Sequence, residues 1–199
     1  MNAALSTQES RRLGELTPVI TKAGYAVGAA GMIATLIVGL FDPPALFKAW
    51  LLNFSFFLSL MLGGIFFTVI HHLTRAGWST AIRRLAETLG ANVPLMALFT
   101  IPIFVGLYTN SLYSWTQPDG DHLLEWKAPY LNTTFFTIRM AGYFLAWFLI
   151  SRFYYRTSVA QDTSGDPNLT LKMTRFAPIS IILFALTTIL LFSVSAVYH

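Results

Sequence analysis

The stretch HHLTRAGWSTAIRRLAE, residues 71–87, joins two long apolar segments and concentrates much of the chain's polar chemistry. It holds two of the four histidines, three of the thirteen Lys and Arg residues and one of the nine acids. The apolar segment on each side is long enough to cross a bilayer core of about 30 Å. We therefore interpret residues 71–87 as a polar junction between two membrane spans, which the rest of the chain serves as apolar scaffold.

The composition of the whole chain supports this interpretation. The chain has 199 residues, of which 55% are hydrophobic and 11% charged, whereas a soluble domain has about 25% charged residues. Apolar stretches of about 18 or more residues recur and predict an all-α, polytopic transmembrane helix bundle. The absence of strand-like alternation argues against an outer-membrane barrel. A soluble helical core would not need so many uncharged runs.

The apolar stretches predict five spans. Their expected bounds are about 23–41, 45–73, 80–108, 132–153 and 178–198. A polar arm of residues 1–22 precedes the transmembrane domain, which fills residues 23–199. Pro94 and Pro102 should bend the third span because proline has no N–H donor, and residues 154–177 should form a polar loop. Since the chain stops soon after its fifth span, we expect it to be the N-terminal part of a larger bundle.

Positive charge is distributed unevenly among the connecting segments. Ten of the thirteen Lys and Arg residues fall on one predicted side, and only Lys48 and Lys127 fall on the other. Because cytoplasmic segments are enriched in Lys and Arg, we expect a cytoplasmic N-terminus and an outer C-terminus. The same placement argues against nucleic acid as a partner, although the net charge is +4.

Several kinds of site are disfavoured by the residue types present. The chain has no cysteine, which excludes thiolate-bound iron–sulfur clusters and covalently attached c-type haem within it. A bis-histidine haem needs ligands from facing helices, but His71 and His72 are adjacent, while His122 and His199 lie in a loop and at the terminus. No metal-ligand spacing appears. We expect no cofactor or metal to be bound by this chain.

The junction nevertheless offers a site for proton transfer. Glu87 follows Arg83 by four residues and Arg84 by three, so it can pair with either on one helical face. A carboxylate about two turns inside a span is unfavourable unless it is paired or faces water. His72, Arg75 and Glu87 would then line a vestibule suited to proton uptake. The alternative is a junction whose His and Arg side chains only fix topology.

A polar stripe along the second span leads to this junction. Asn53, Gly64, Thr68 and His71 fall on one helical face. Hydrocarbon offers such groups no hydrogen-bond partners. We therefore expect the stripe to face protein.

Arg139 is a second candidate site, within the fourth span. It lies about two turns inside one end of that span, with Gly142 and Tyr143 on the same face. An intramembrane arginine is a functional hypothesis by default. The alternative is an arginine that snorkels to the headgroups.

Several motifs of the chain resemble one family. The central motif is HLTRAGWS at residues 72–79, followed closely by Arg83 and Arg84. The supporting motifs are LGGIFFTVI at 62–70, KAPYLN at 127–132, FFTIR at 135–139, GDPNLT at 165–170 and LFALTT at 183–188. In order and spacing they resemble the ActF-type membrane subunit of bacterial alternative complex III, within the broader NrfD/polysulfide-reductase-like proteins. His71 departs from the family pattern, where we expect glutamine.

The resemblance implies a subunit of a quinol:cytochrome c oxidoreductase in the bacterial inner membrane. It implies partner subunits that carry iron–sulfur clusters and several c-type haems, a homologous membrane subunit that is the better candidate for the quinol site, and a terminal oxidase as a further partner. Contact with quinone or menaquinone is an open expectation. The chain itself would provide scaffold and a proton half-channel and would not be catalytic alone. The residues carried over by motif are His72, Arg75, Arg83, Arg84, Glu87 and Arg139.

Two other functions stay open from the residues alone. The chain can be a purely structural subunit of a respiratory complex, in which the same charges only fix topology. It can also be half of a secondary transporter that binds substrate at a broken helix, which Pro94 and Pro102 would permit.

Overall fold

All regular elements in the described part of the structure are helices. The computed structural model describes residues 16–77, 80–109, 112 and 132–196. Its helices are α1 Leu16–Phe41, α2 Pro43–Leu73, α3 Thr80–Gly90, α4 Val93–Phe99, α5 Ile101–Tyr108, α6 Thr133–Ser164 and α7 Pro167–Ala196. Within these residues there is no strand, as the sequence predicts.

Five stretches of the described helices are long and apolar enough to cross a membrane. They are Thr17–Phe41, Pro43–Leu73, Ile82–Tyr108, Thr133–Ser164 and Pro167–Leu191. The all-helical class is thus confirmed, and the number of helical stretches of spanning length and composition equals the predicted number of spans. The chain divides into two units, residues 1–46 and 47–199. Helix α1 begins at Leu16, within the predicted polar arm, and the arm as a separate domain stays a prediction.

Both ends of α2 follow from local sequence. Asp42 caps its first turn, with its Oδ1 accepting the N–H of Ala45 at 3.1 Å, and the helix begins at Pro43, where a missing N–H does no harm. Its other end is set by Arg75, whose φ of 52° is left-handed. The N–H of Ala76 then donates to the carbonyl of His71 at 3.1 Å, as in a Schellman cap.

Of the segment between α2 and α3, Trp78 and Ser79 lie outside the described residues. Between the predicted third and fourth spans, residues 110, 111 and 113–131, with His122 among them, also lie outside the described residues.

The third span is interrupted ahead of both of its prolines. Pro94 and Pro102 each stand in the first turn of a new helix, α4 and α5. The indole N–H of Trp50 donates to the carbonyl of Phe99 at 3.0 Å. This bond supplies a donor at the second interruption, where the helical ladder is broken.

The predicted polar loop at residues 154–177 is wrong, because the helices that carry the fourth and fifth predicted spans extend into it. Helix α6 continues to Ser164, and α7 begins at Pro167. Polar residues do not end a helix by themselves; the turn is made at Gly165, whose φ of 65° suits glycine. Pro178, expected to begin the last span, lies inside α7.

Helices α6 and α7 pack along each other. Trp147 is fully buried between them, and its indole N–H donates to Thr187 Oγ1 at 2.9 Å. Nearer the turn, the hydroxyl of Tyr154 donates to the carbonyl of Met173 at 3.3 Å. These bonds satisfy buried polar groups and fix the face that α6 turns toward α3.

Helices α2 and α3 cross at two glycines. A Cβ added to Gly64 would lie 2.7 Å from the carbonyl oxygen of Ala86, and one added to Gly90 would lie 3.1 Å from Ile65 Cγ1. Small residues allow this close approach of helix backbones. The hydroxyl of Ser151 on α6 donates to the carbonyl of Gly90 at 2.7 Å. Helix α6 thus meets the two helices that carry the junction residues at this crossing.

The polar stripe on α2 is confirmed in three of its four positions. Gly64, Thr68 and His71 are buried. Asn53 is exposed, and its side-chain amide donates to the carbonyl of Ala49 at 2.9 Å. The prediction was wrong there because an asparagine can satisfy part of its hydrogen bonding on its own helix.

Candidate functional site

The site is centred on a buried carboxylate near the start of the third span. The side chain of Glu87 is 0% exposed. Its Oε1 lies 3.2 Å from Arg83 Nε, and its Oε2 lies 3.0 Å from Arg84 Nη1. Both pairs follow from the helical spacing. Two cations therefore stabilise the charged form of a carboxylate that burial alone would disfavour.

Helix α6 completes the cluster. Arg83 Nη2 donates to the buried hydroxyl of Ser158 at 3.4 Å, and Arg84 forms a second ion pair with Asp162. Each arginine thus connects Glu87 on α3 to α6. We call Arg83, Arg84, Glu87, Ser158 and Asp162 the Glu87 cluster. It is an ion-pair network that joins two helices, with Glu87 at its buried end and Asp162 at its exposed end.

His72 lies at the same end of the bundle, buried and 2% exposed. Its ring stacks on Tyr154 with centroids 5.4 Å apart and meets the ring of His71 edge-on at 5.0 Å. Its Nε2 has no hydrogen-bond partner within the described residues. The structure therefore positions His72 by aromatic contacts.

A small cavity lies beside Glu87. Its volume is about 10 Å³, most of its surface is apolar, and its lining includes Glu87, Thr68, Ser151, Tyr154 and Tyr155. The space is about the size of one water molecule. It is far too small for a quinone ring. Because Tyr154 also stacks on His72, its ring links the two residues that the sequence predicts as a proton relay.

Arg75 does not belong to this cluster. Its side chain is exposed, and no ion pair involves it within the described residues. Its contribution is to the backbone, as the left-handed residue that ends α2.

Arg139 lies far from the Glu87 cluster. It precedes Ser158 by nineteen residues on the same helix, a distance of about 28 Å. Its side chain is buried, with the guanidinium carbon 5.2 Å from the ring centroid of Phe135 and 5.8 Å from that of Phe136. This packing differs from a side chain that extends along lipid to the headgroups.

The two neighbours that the sequence assigns to Arg139 differ from each other. Tyr143 is buried, as expected for a residue on the same face. Gly142 is exposed, and a Cβ added there would meet nothing within 4 Å. Within the described residues, no side chain or backbone atom packs closely at Gly142.

Sequence reasoning missed the residues that α6 contributes. Tyr154, Ser158 and Asp162 recur every four residues and so share one helical face. That spacing was the available signal. A polar loop at residues 154–177, as the composition predicts, has no helical face on which this spacing could be noticed.

No group of three or more metal-ligating side chains occurs within the described ranges. The Glu87 cluster pairs opposite charges and joins α3 to α6, and a cavity of about the size of one water molecule lies beside it. No protein-family model matches the chain, and no curated protein matches it.

Proposed function

We propose that the chain is an integral membrane subunit of a bacterial respiratory quinol:cytochrome c oxidoreductase of the alternative complex III type. In this proposal it lies in the inner membrane with its N-terminus in the cytoplasm and contributes scaffold and a proton half-channel. The motifs around residues 72–84 support the family. The observation that carries the proton role is the fully buried carboxylate of Glu87 beside a water-sized cavity.

The cluster has the chemical parts of a proton entrance. Glu87 would exchange a proton with a water molecule in the cavity, which Thr68, Ser151 and Tyr154 also line. Arg83 and Arg84 would bring the carboxylate back to its charged form after each transfer, since an adjacent cation stabilises that form. His72, stacked on Tyr154, would be the next titratable group along the path.

Electron transfer would take place in other subunits. The proposed partners are a homologous membrane subunit that holds the quinol site, an iron–sulfur subunit and a multihaem cytochrome c, with a terminal oxidase beyond them. Arg139 lies about 28 Å along α6 from Ser158, so in this proposal it belongs to a different part of the path.

A structural role is the second candidate, and one observation favours it. Both oxygens of Glu87 already have arginine partners, and both arginines also reach α6. Such a network can hold α3 against α6 without transferring any proton. The two roles differ in what should happen when the charge of Glu87 is removed.

The experiment compares Glu87→Gln with the double variant Glu87→Gln/Arg83→Gln in the native complex. The single variant leaves a guanidinium without its buried partner, whereas the double variant removes one charge of each sign. If Glu87 relays protons, both variants lose proton coupling in proteoliposomes while the complex stays assembled. If Glu87 is structural, the single variant is less stable, the double variant recovers stability, and coupling is normal in whatever complex assembles.

Asp162→Asn is the matched control. It removes a carboxylate from the same network, but that side chain is 53% exposed, so assembly, turnover and coupling should be unchanged.

Subunit composition and the visible spectrum of the purified complex test the family assignment separately. Purification without haem-containing partners would contradict the redox role, and normal coupling in an assembled Glu87→Gln complex would contradict the proton role.

A further inference from the structure

A groove next to the Glu87 cavity lies between the start of α4 and the side of α6, and Ser151 and Tyr155 line both spaces. It is partly open and has a volume of about 300 Å³. Its lining includes Ala91, Pro94, Phe148, Arg152, Tyr155 and Arg156. We call it the Arg152 groove. Two of its residues are arginines and none is acidic, which makes it a place for an anion.

The two arginines are placed to act together. Arg152 and Arg156 are four residues apart on α6 and so lie on one face. The guanidinium carbon of Arg152 lies 5.5 Å from the ring centroid of Phe148, which restricts its position. Neither arginine forms an ion pair within the described residues. Both guanidinium groups can therefore bind phosphate oxygens, for which their geometry is well suited.

The level of the groove along α6 points to a lipid headgroup. Helix α6 has 32 residues and is about 48 Å long, more than the bilayer core of about 30 Å. Counted from Thr133, about 20 residues cross that core and end at Arg152. Between Arg139 and Arg152 the helix carries no Lys, Arg, Asp or Glu. Arg152 is thus the first charge beyond the apolar part of the span.

The walls of the groove have two kinds of chemistry. Arg152, Arg156 and the half-exposed Tyr155 form a polar part, while Ala91, Pro94 and Phe148 form an apolar part. A free phosphate ion would use only the polar part. An amphiphile with a phosphate headgroup and an acyl chain would use both.

We propose that the Arg152 groove binds one anionic phospholipid. Its phosphate contacts Arg152 and Arg156, and the first part of an acyl chain lies along Pro94 and Phe148. The proposal depends on membrane insertion of the chain but not on a redox role. It adds a specific site to the general attraction between cationic protein ends and anionic lipid.

The test is a titration of the purified protein, in its native complex, with phosphatidylglycerol, with bound lipid counted by native mass spectrometry. One phosphatidylglycerol should bind in preference to phosphatidylcholine. The variant Arg152→Gln/Arg156→Gln should weaken that binding about thirtyfold, because each cation near a headgroup contributes about a factor of five. Arg156→Gln alone should weaken binding about fivefold. This single variant keeps the test usable if the double variant does not fold.

Two controls separate the groove from charge in general. Lys172→Gln/Arg175→Gln also removes two cations, from α7 outside the groove lining, and should leave the bound lipid in place. Ala91→Leu should weaken binding without changing any charge, because its larger side chain fills part of the apolar wall.

Three results would overturn the proposal. Equal losses in the groove and α7 variants would show general electrostatic attraction. Equal binding of phosphatidylcholine would show that the net charge of the headgroup is not recognised. Displacement of the lipid by inorganic phosphate at low millimolar concentration would show a site for soluble anions. Circular dichroism of each variant confirms that its helices are intact.

Discussion

Glu87 and Arg139 are two buried charges that the bundle accommodates in different ways. Glu87 is held by two arginines on its own helix, and these arginines extend the network to α6. Arg139 packs its guanidinium against the rings of Phe135 and Phe136. The burial of Glu87 thus depends on pairing of opposite charges. The guanidinium of Arg139, by contrast, lies against aromatic rings.

The strongest test of this comparison is Glu87→Ala. Removing one partner of a buried ion pair leaves the other charge uncompensated and lowers the free energy of unfolding by about 3–5 kcal/mol. The Arg84 side chain is 40% exposed, so water can solvate part of its charge. We therefore expect the free energy of unfolding to fall by about 3 kcal/mol. Reversible unfolding in mixed detergent micelles measures it.

Asp162→Ala is the control for this prediction. It removes the exposed partner of the same arginine, and we expect a change within about 0.5 kcal/mol. Similar losses in both variants would mean that the burial of Glu87 adds nothing, and the contrast between the two charges would fail.

The second prediction concerns the helix crossing that holds Glu87 in place. Gly64→Ala would put a Cβ 2.7 Å from a backbone oxygen and 2.8 Å from a backbone nitrogen of α3, atoms that cannot move aside as a flexible side chain does. We expect a loss of about 2 kcal/mol from overpacking. Spectroscopic thermal unfolding of the purified protein should show a lower midpoint.

The neighbouring glycine provides the control. Gly63 is exposed, and a Cβ added there meets nothing within 4 Å, so Gly63→Ala should be neutral or stabilising. If both substitutions have the same effect, helix propensity rather than close approach determines the result.

The third prediction tests the Arg139 end. Arg139→Lys keeps the positive charge but loses the planar group that lies over the two rings, so the loss should be between roughly 1 and 2 kcal/mol. The same substitution at Arg152, an exposed arginine over Phe148, should have a smaller effect. Unchanged stability of Arg139→Lys would show that only charge matters at this end as well.

The sequence predicted what depends on local spacing. Pairing of Glu87 with Arg83 and Arg84 follows from i,i+4 and i,i+3 spacing, and both pairs occur. The interruptions ahead of Pro94 and Pro102 follow from the chemistry of proline. These features are set within one or two turns of helix, where neighbours in sequence are neighbours in space.

The sequence did not predict what depends on contacts between helices. The polar composition of residues 154–177 suggested a loop, but Ser158 and Asp162 are polar because they face the arginines of α3. The crossing of Gly64 and Gly90 lies between two helices, and no spacing on one helix reveals it. In both cases a partner distant in sequence determines the structure.

The smallest expected effect concerns Arg75, a junction residue that the structure separates from the Glu87 cluster. Its left-handed φ of 52° is unfavourable for any residue with a Cβ, by roughly 1–2 kcal/mol. Arg75→Gly should therefore raise the free energy of unfolding by about 1 kcal/mol, part of the relief being offset by the greater freedom of glycine in the unfolded chain. Arg75→Ala removes the same charge but keeps the Cβ, so it should not stabilise. If alanine stabilises as much as glycine, the charge of Arg75 rather than its backbone conformation is unfavourable. Arg75 would then interact electrostatically with the other cations at this end of the bundle, Arg83 and Arg84.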